Sequence, residues 1–396
     1  MKIAMIGQKT IGVKGGLAGG IETHVEMLAT RLVDRGHQVF VYARKNYHQE
    51  GKTPVRASIP SGVHLVYVPT LYRKNLEAII HTLFSTIHAL FRNYDIIHYH
   101  GVGPATLSWI PRIFKPRSKV VVTFHSQDRY HQKWGLFARN YLHFGEWASA
   151  WFPNVCIAVS HVIQVYCRKV YHRQVVYIPN GAEPQHVRKT DQLEQFGLVK
   201  GEYFLNVGRV VKHKGLHYLI DAYQMLDPNK LGKKSSKKIS QGTCSRSKKK
   251  LVIVGSPASG QEQYFEELKK RVVGDQNILF LGFQSGEPLR QLFAHAYLYI
   301  QPSESEGLAV VVLEAMSYGT AVLVSDIPEN LEAIDHVGMR FKNKSVKSLA
   351  KQLQSAEDDP KMIKQVASDL KIWMKANFSW EVITDHVEEV YRSVRH

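Results

Sequence analysis

The chain has 396 residues, a length that favours two or three domains over one. Apolar residues make up 44% and charged residues 22%, with ordinary glycine and proline usage, which excludes collagen-like, coiled-coil and wholly disordered proteins. The 52 Lys and Arg outnumber the 34 Asp and Glu, so the net charge is +18. Such an excess is typical of proteins that bind nucleic acid, anionic membranes or phosphorylated substrates.

Short β-rich segments alternate with helical patterns over the first 178 residues. After the first strand, the apolar positions of Ile21 to Arg35 recur at helical spacing, and Gly36 is a suitable C-cap. This alternation is typical of βαβ units in a parallel, doubly wound sheet. The predicted strands are Lys2–Ile6, Gln38–Ala43, His64–Val68, Asp95–His98, Lys119–Phe124, Val155–Val159 and Val175–Ile178.

Neither a secretory leader nor a membrane span is predicted. The N-terminal apolar run meets glycine and polar residues too early for a signal peptide. The segment Ala78 to Phe91 is interrupted by polar residues, and we interpret it as an amphipathic core helix, with membrane contact as the alternative. The three cysteines show no C-x-x-C spacing, so we expect a cytoplasmic protein without a disulfide framework.

The same alternation restarts after a polar linker at 180–200, which predicts a second domain. We place the first domain at 1–190 and the second at 195–378, with a C-terminal region that is helical from Ser345 onward. The strands predicted in the second domain are Tyr203–Val207, Leu251–Gly255, Asn277–Phe280, Tyr297–Ile300 and Ala321–Val324.

The segment 228–250 interrupts this pattern with nine Lys and Arg and no acidic residue. Its low apolar content predicts a disordered insert, and a nucleic-acid-binding tail is the alternative. Residues 1–195 carry 24 Lys and Arg against 11 Asp and Glu, whereas residues 196–396 without the insert carry 19 against 23. The positive charge therefore belongs to the first domain and to this one segment.

A glycine-rich segment follows the first strand and precedes the first helix. Glycines at a helix N-terminus let backbone amides approach a phosphate, although a flexible turn would also explain them. Neither G-x-G-x-x-G nor G-x-x-x-x-G-K-[ST] is present. The glycines are Gly15, Gly16, Gly19 and Gly20.

Two groups of charged residues in the second domain suit a sugar diphosphate. Arg209 and Lys214 follow the strand Tyr203–Val207, and cations there would neutralise the charge that grows on a diphosphate leaving group. Seven residues separate Glu306 from Glu314, the first before and the second about two turns into a helix that we expect to start near Leu308. This spacing predicts that the two carboxylates bind different hydroxyls of one extended ligand.

The 20 histidines raise the alternative of a metal site. His98 and His100, together with His125, Asp128 and His131, could supply ligands, but a zinc site needs three or four that converge. We interpret these residues as polar groups that line a ligand site, and we predict no metal.

Several segments together resemble a known family. In this order along the chain, GGIETHV, TFHSQD, IPNGA, GRVVKHKG, EGLAVVVLEAM and SDIPEN are similar to the retaining nucleotide-sugar glycosyltransferases of family 4. The likeness covers nearly the whole chain and is greatest to bacterial cell-envelope glycosyl and rhamnosyl transferases. It implies the α/β GT-B fold, in which two Rossmann-like doubly wound parallel-sheet domains face a cleft and a C-terminal helix, here 379–396, packs back on the first domain.

The resemblance also implies roles for individual residues. The catalytic group would be His125, near the transferred sugar, Glu306, which holds the sugar hydroxyls, and Arg209 with Lys214, which bind the diphosphate. The donor would further contact the backbone of Gly19 and Gly20, the carboxylate of Glu314 through the ribose, and Gly307 with Leu308.

The implied reaction moves a sugar from a nucleotide-diphosphate donor to a glycan or lipid-linked acceptor in cell-envelope polysaccharide synthesis, with retention of configuration. The acceptor attacks from the leaving-group face and a phosphate oxygen takes its proton, so we expect neither a protein base nor a cofactor or metal. We expect a hexosyltransferase, cytoplasmic or peripheral on the inner face of the plasma membrane. The alternatives are another nucleotide-sugar enzyme, such as an epimerase, or a nucleic-acid-binding protein.

Overall fold

The computed structural model describes residues 1–12, 19–44, 59–70, 77–127, 136–226, 249–258 and 260–395. The chain divides into two compact units. The first comprises Met1–Ala182, Gly307–Val310 and Asn377–His396, and the second comprises Glu183–Glu306 and Val311–Ala376. The boundary between the units lies after Ala182, before the predicted end of the first domain at residue 190. The Gln185 amide already donates a hydrogen bond to the Ser317 carbonyl of the second unit, at 2.9 Å.

Parallel strands form the sheet of the first unit. Within the described residues it has seven, in the order β3-β2-β1-β4-β5-β6-β7. Strands β1 and β5 are almost wholly buried, as expected for a parallel sheet covered by helices. The strands are β1 Lys2–Ile6, β2 Gln38–Arg44, β3 Val63–Val68, β4 Ile96–His100, β5 Lys119–Phe124, β6 Val155–Ala158 and β7 Val176–Tyr177.

The helices of the first unit include one from the C-terminus of the chain. It packs beside α1, where Arg35 forms ion pairs with Glu381 and Glu388, and its Trp380 is buried in the core. The last stretch of chain therefore completes the first hydrophobic core. The helices are α1 Gly20–Asp34, α2 Glu77–Leu90, α3 Val102–Ala105, α4 Trp109–Phe114, α5 Leu136–Trp151, α6 His161–Tyr171 and the C-terminal helix Trp380–Ser393, which is numbered α15 in chain order.

The second unit repeats this plan with a parallel sheet in the order β10-β9-β8-β11-β12-β13. Its strands are β8 Tyr203–Val207, β9 Lys250–Val254, β10 Ile278–Phe280, β11 Leu298–Gln301, β12 Val322–Ser325 and β13 Met339–Phe341. Its helices are α7 Asp191–Glu194, α8 Leu216–Gln224, α9 Glu262–Arg271, α10 Gly286–Ala294, α11 Val310–Ser317, α12 Pro328–Ile334, α13 Val346–Asp358 and α14 Pro360–Asn377.

The prediction of two doubly wound parallel sheets is confirmed, and most strand ends lie within one or two residues of the predicted ones. Strand β13 was not predicted, because its exposed Arg340 lies between two buried apolar residues and leaves no continuous apolar run.

The interpretation of α2 as a core helix is wrong in one respect. The helix forms, but its polar residues His81, Thr82, Ser85 and Thr86 are buried, whereas several large apolar residues are exposed. The sequence predicted an amphipathic helix but did not indicate which of its faces is buried.

Most of the predicted insert, 228–250, lies outside the described residues. Lys249 and Lys250, which were assigned to it, belong to the folded unit: Lys250 begins β9, and Lys249 pairs with Glu202 and lies over the ring of Tyr297. Their long side chains are held by local partners, which the charge pattern could not reveal. Among the helices of the described residues, none combines the length and apolar character needed to cross a bilayer.

Candidate functional site

The predicted functional residues Arg209, Lys214 and Glu306 lie beyond the carboxyl ends of β8 and β11, where ligands of doubly wound sheets bind. A short 3-10 helix, Lys212–Lys214, follows β8 and ends at Gly215, whose φ is +70°. A Cβ at Gly215 would come within 2.0 Å of the Pro302 carbonyl oxygen, so glycine permits this close approach of two loops. The approach places Lys214 beside the segment that follows β11.

Lys214 and Glu306 form an ion pair, with Nζ and Oε1 2.5 Å apart and both side chains largely buried. Burial opposes ionisation of Glu306, but Lys214, together with hydrogen bonds from Ser303 and Gln301, lowers its pKa. The predicted pair of functional residues is therefore a charged pair in a largely dry environment, where electrostatic interactions are strong.

A chain of polar side chains supports Glu306. Gln301 Nε2 donates to Glu306 Oε1 at 2.7 Å and to Ser303 Oγ at 2.9 Å, and the Tyr299 hydroxyl donates to Gln301 Oε1 at 2.6 Å. Sequence reasoning missed Gln301 and Ser303. A buried glutamine at the last position of a strand was the available signal, because that end of the sheet is where ligands bind.

Glu314 lies in a different environment from Glu306. Its helix begins at Val310 and not near Leu308, so Glu314 is little more than one turn from the helix start. The correction has a local cause: the Leu308 carbonyl accepts a hydrogen bond from Asn180, which holds it outside the helix. No hydrogen bond or ion pair to the Glu314 carboxylate is found in the described part of the chain, and burial raises its pKa to about 7.

Arg209 follows β8 with its side chain exposed. Within the described ranges its guanidinium forms no ion pair or hydrogen bond, in contrast to Lys214. A guanidinium in this state is available to an anion that approaches this end of the sheet. Nearby Glu304 is occupied elsewhere, by the Tyr218 hydroxyl at 3.0 Å and by Lys344 at 2.9 Å.

The first unit has a buried group of histidines at the equivalent ends of its own central strands. His100 ends β4 and His125 follows β5, while His24 extends from α1. His100 Nδ1 and His125 Nε2 are 3.3 Å apart, and the rings of His24 and His125 meet edge to face with centroids 4.8 Å apart. We call His24, His100 and His125 the imidazole cluster.

Asn180 orients the imidazole cluster. Its Nδ2 donates to the Leu308 carbonyl, so its Oδ1 is an acceptor and His24 Nδ1, 3.0 Å away, must carry the proton. Gly307 packs against the same cluster, because a Cβ there would lie 2.2 Å from the His125 carbonyl oxygen. Gly307 and Leu308 thus belong to the first unit, whereas Glu306, the preceding residue, belongs to the second. Sequence reasoning missed His24 and Asn180, although both lie within family motifs.

Burial keeps these imidazoles uncharged. It lowers the pKa of His24 to about 4 and the pKa of His100 and of His125 well below the usual value. The cluster therefore presents neutral hydrogen-bonding groups and not cations.

The imidazole cluster is also the set of residues that could hold a metal. One nitrogen from each ring lies within 4.8 Å of the others, and three histidines suffice for an open zinc site. The imidazole cluster differs from the metal site considered in the sequence analysis. His98 hydrogen-bonds to Tyr391 and Thr123, each at 2.7 Å, and is not part of the cluster. Asp128 and His131 lie outside the described residues.

The predicted phosphate-binding glycines are described only at Gly19 and Gly20. The Gly19 amide donates to Glu22 Oε2 at 2.8 Å. A backbone amide at the N-terminus of α1 therefore already has a hydrogen-bond partner within the helix. A phosphate can take this amide only if Glu22 releases it. Gly15 and Gly16 lie outside the described residues.

Two family models match successive parts of the chain. The model described as Glycosyltransferase Family 4 matches residues 18–186, and the model described as Glycosyl transferases group 1 matches residues 189–373. Together they account for most of both units.

Individual relatives agree with these matches. An uncharacterised glycosyltransferase of Methanocaldococcus jannaschii is 26% identical, with 99% of this chain and 98% of that protein aligned. The O-antigen chain mannosyltransferase B of Escherichia coli is 25% identical over 50% of this chain and 48% of that protein. In structure, the chain is similar to Anabaena HepE in complex with UDP, with a TM-score of 0.72, 19% identity and 99% and 100% of the two chains covered.

Proposed function

This chain belongs to the family 4 glycosyltransferases, and we propose that it transfers a sugar, with retention of configuration, from a nucleotide-diphosphate sugar to a glycan or lipid-linked acceptor. It is an enzyme of the hexosyltransferase type. The observation that carries the proposal is the buried Lys214–Glu306 pair, with Gln301 behind it, at the carboxyl ends of β8 and β11.

The cations of the second unit suit the departure of a nucleoside diphosphate. Negative charge grows on the diphosphate as its bond to the anomeric carbon breaks, and fixed cations stabilise that charge. Arg209 is unpaired among the described residues and exposed, and Lys214 is fixed by Glu306. We assign both to the diphosphate, with Arg209 free to adjust and Lys214 positioned in advance.

The two carboxylates accept hydrogen bonds from different hydroxyls of the donor. Glu306 is held ionised and receives hydroxyls of the transferred sugar, while Glu314 receives those of the ribose. Because the pKa of Glu314 is about 7, its ionised form, which accepts hydrogen bonds at both oxygens, predominates only above neutral pH.

In the first unit we assign His125 to the transferred sugar and the backbone of Gly20, Gly307 and Leu308 to the donor. Gly19 contributes only when Glu22 releases its amide. His125 is uncharged and therefore contributes hydrogen bonding and position instead of charge. The acceptor attacks from the leaving-group face, and a phosphate oxygen takes its proton. We propose that no metal or cofactor takes part, because Arg209 and Lys214 supply the positive charge.

The acceptor belongs to cell-envelope polysaccharide synthesis in this proposal, which the similarity to an O-antigen chain mannosyltransferase supports. We place the protein in the cytoplasm, peripheral on the inner face of the plasma membrane. The excess of 24 Lys and Arg over 11 Asp and Glu in residues 1–195 supports attraction to anionic lipid or to a pyrophosphate-linked acceptor.

A donor screen tests the proposal. Thermal unfolding with UDP-, GDP- and dTDP-sugars identifies the donor, and nucleotide release with and without acceptor then distinguishes a transferase from an epimerase. The anomeric configuration of the product, measured by NMR, must match that of the donor. Inversion would refute the retaining mechanism, and acceptor-independent turnover without sugar transfer would refute the proposed reaction.

A further inference from the structure

Helix α2 directs its apolar face away from the protein. Its polar residues pack inward, while Leu83, Phe84 and Ile87 are 37%, 42% and 41% exposed, and Phe91, just beyond the helix, is 82% exposed. The exposed residues recur at spacings of three and four, so they form one stripe along the helix. A helix that served only the core of its own domain would have the opposite arrangement.

Helix α4 continues the same exposed apolar character. Trp109 is 37% exposed, and Ile113 and Phe114 are 63% and 68% exposed. The two helices pack together, and Lys115 Nζ donates to the Leu90 carbonyl at 2.8 Å. This bond joins the residues next to Phe91 and Phe114, so the two most exposed phenyl groups lie at the same end of the helix pair. We call the exposed apolar residues of α2 and α4 the α2–α4 face.

Basic residues outnumber acidic ones in the stretch of chain that forms the α2–α4 face. Residues 83–119 contain one acidic residue, Asp95, and it is engaged by Arg395 and by the Lys2 amide. The five basic residues in the same stretch are Arg92, Arg112, Lys115, Arg117 and Lys119. An apolar stripe next to basic residues that outnumber acidic ones is complementary to a membrane interface, where negatively charged headgroups lie above acyl chains.

We propose that the α2–α4 face docks on an anionic lipid bilayer, with Phe91, Ile113 and Phe114 entering the acyl boundary and Arg92, Arg112 and Arg117 meeting the headgroups. Aromatic side chains are favoured at this depth, and basic residues are attracted by the surface potential. Monomers rarely expose a contiguous apolar patch without a partner, and the local charge favours lipid over a second, equally basic copy of this chain.

This inference rests on the proposed function only in its choice of membrane, since it identifies the surface that would bring the enzyme to a lipid-linked acceptor. Vesicle binding is measured without donor or acceptor. A chain that floats with vesicles but transfers no sugar would contradict the proposed function and leave the docking surface supported. A chain that transfers sugar but does not float with vesicles would contradict the docking surface and leave the proposed function supported.

The test is flotation of the full chain with vesicles of phosphatidylcholine alone or mixed with phosphatidylglycerol. We expect binding to the anionic vesicles that weakens as salt is raised. Phe91→Ser and Phe114→Ser should each weaken it roughly tenfold or more through lost apolar burial. Arg112→Gln and Arg117→Gln should each weaken it about fivefold.

The second unit offers matched controls. Val273 and Ile372 are 83% and 66% exposed, nearly the same as Phe91 and Phe114, and lie in the second unit. Val273→Ser and Ile372→Ser should therefore leave flotation unchanged, and circular dichroism confirms that all four variants fold. Equal binding to neutral vesicles, or equal losses in the controls, would overturn the proposal. A dimer in light scattering that Phe114→Ser dissociates, without flotation of the wild-type chain, would assign the face to self-association instead.

Discussion

The two units place different chemistry at equivalent positions of the same fold. Beyond the central strands β4 and β5 of the first unit lie imidazoles that burial keeps neutral, whereas beyond β8 and β11 of the second lies the ionised Lys214–Glu306 pair. The topology fixes where functional groups can gather, and the side chains that gather beyond the strand ends determine the charge there.

This contrast suits the two parts of the proposed substrate. A diphosphate needs fixed positive charge, and a carboxylate that stays ionised can accept hydrogen bonds from sugar hydroxyls. Neutral imidazoles, in contrast, can contact a sugar without a strong field and without competing for the leaving group. The contrast can be tested by removing the charge from the second unit and by adding charge to the first.

The largest effect is expected from breaking the charged pair. Lys214→Ala and Glu306→Ala should each lower kcat/KM at least about a hundredfold, because each removes a group that acts on the developing charge or on the sugar hydroxyls. Steady-state kinetics with the donor that the thermal screen identifies provides the measurement. Two variants serve as controls and should retain nearly full activity. Lys212→Ala changes another lysine of the same 3-10 helix, and Glu304→Ala removes a glutamate that pairs with Lys344 and not with Lys214.

A double variant separates the catalytic and structural roles of the pair. Either single change leaves one charge buried without its partner, so each should lower the free energy of unfolding by about 3 kcal/mol. Lys214→Ala combined with Glu306→Ala should be less unstable than the sum of the two and still inactive. Recovery of activity along with stability would show that the pair serves only the fold.

The second largest effect concerns Glu314, the carboxylate without a partner among the described residues. Because burial raises its folded pKa above the unfolded value, ionisation at high pH costs stability, by at most about 3 kcal/mol at pH 8. Glu314→Gln should therefore stabilise the protein at pH 8 while raising the donor KM. In the wild type KM should rise as pH falls from 8 to 6, and in the variant it should be flat. A destabilised variant, or one with unchanged KM, would contradict the assignment to the ribose.

The third effect appears when acid adds charge to the first unit. Burial lowers the folded pKa of His24 to about 4, so the unfolded chain takes up a proton below about pH 6.5 that the folded chain refuses. Stability therefore falls as pH falls through this window, by about 2 kcal/mol for His24 at pH 5. His24→Gln should reduce this acid dependence in denaturant unfolding, and His386→Gln, exposed on α15 of the same unit, should not. Identical slopes in all three proteins would refute the buried, neutral state.

The sequence was sufficient to predict the parallel sheets and to single out Lys214 and Glu306, which the structure pairs, for physical reasons that are visible in particular residues. Strands such as Lys119–Phe124 and Tyr203–Val207 are nearly continuous apolar runs between polar turns, and a buried parallel sheet requires such runs. Lys214 stood out because it lies in the loop after a strand, next to Gly215, and Glu306 because it precedes the apolar helix that contains Glu314.

What could not be predicted depends on tertiary contacts. Gln301 contacts Glu306, and Asn180 contacts His24 and Leu308. These contacts join residues that no local sequence pattern connects. The inverted face of α2 was missed for a related reason: composition shows that a helix has an apolar side, but not whether that side meets the core or the surroundings.

The smallest expected effect concerns metal ions. The imidazole cluster could bind a transition-metal cation, but the proposed reaction draws its positive charge from Arg209 and Lys214 in the other unit. Transfer by the chelator-treated enzyme should therefore equal that of the untreated enzyme, and added Mg²⁺ or Mn²⁺ should not increase it. If chelation abolished transfer and one cation restored it, the neutral cluster would be a metal site and the division of charge between the units would be wrong. His100→Asn then tests whether the cation acts at the imidazole cluster. The variant removes one of the three possible metal ligands and leaves Arg209, Lys214 and Glu306 unchanged. If the cation binds the cluster, it should restore transfer in the wild type but not in this variant.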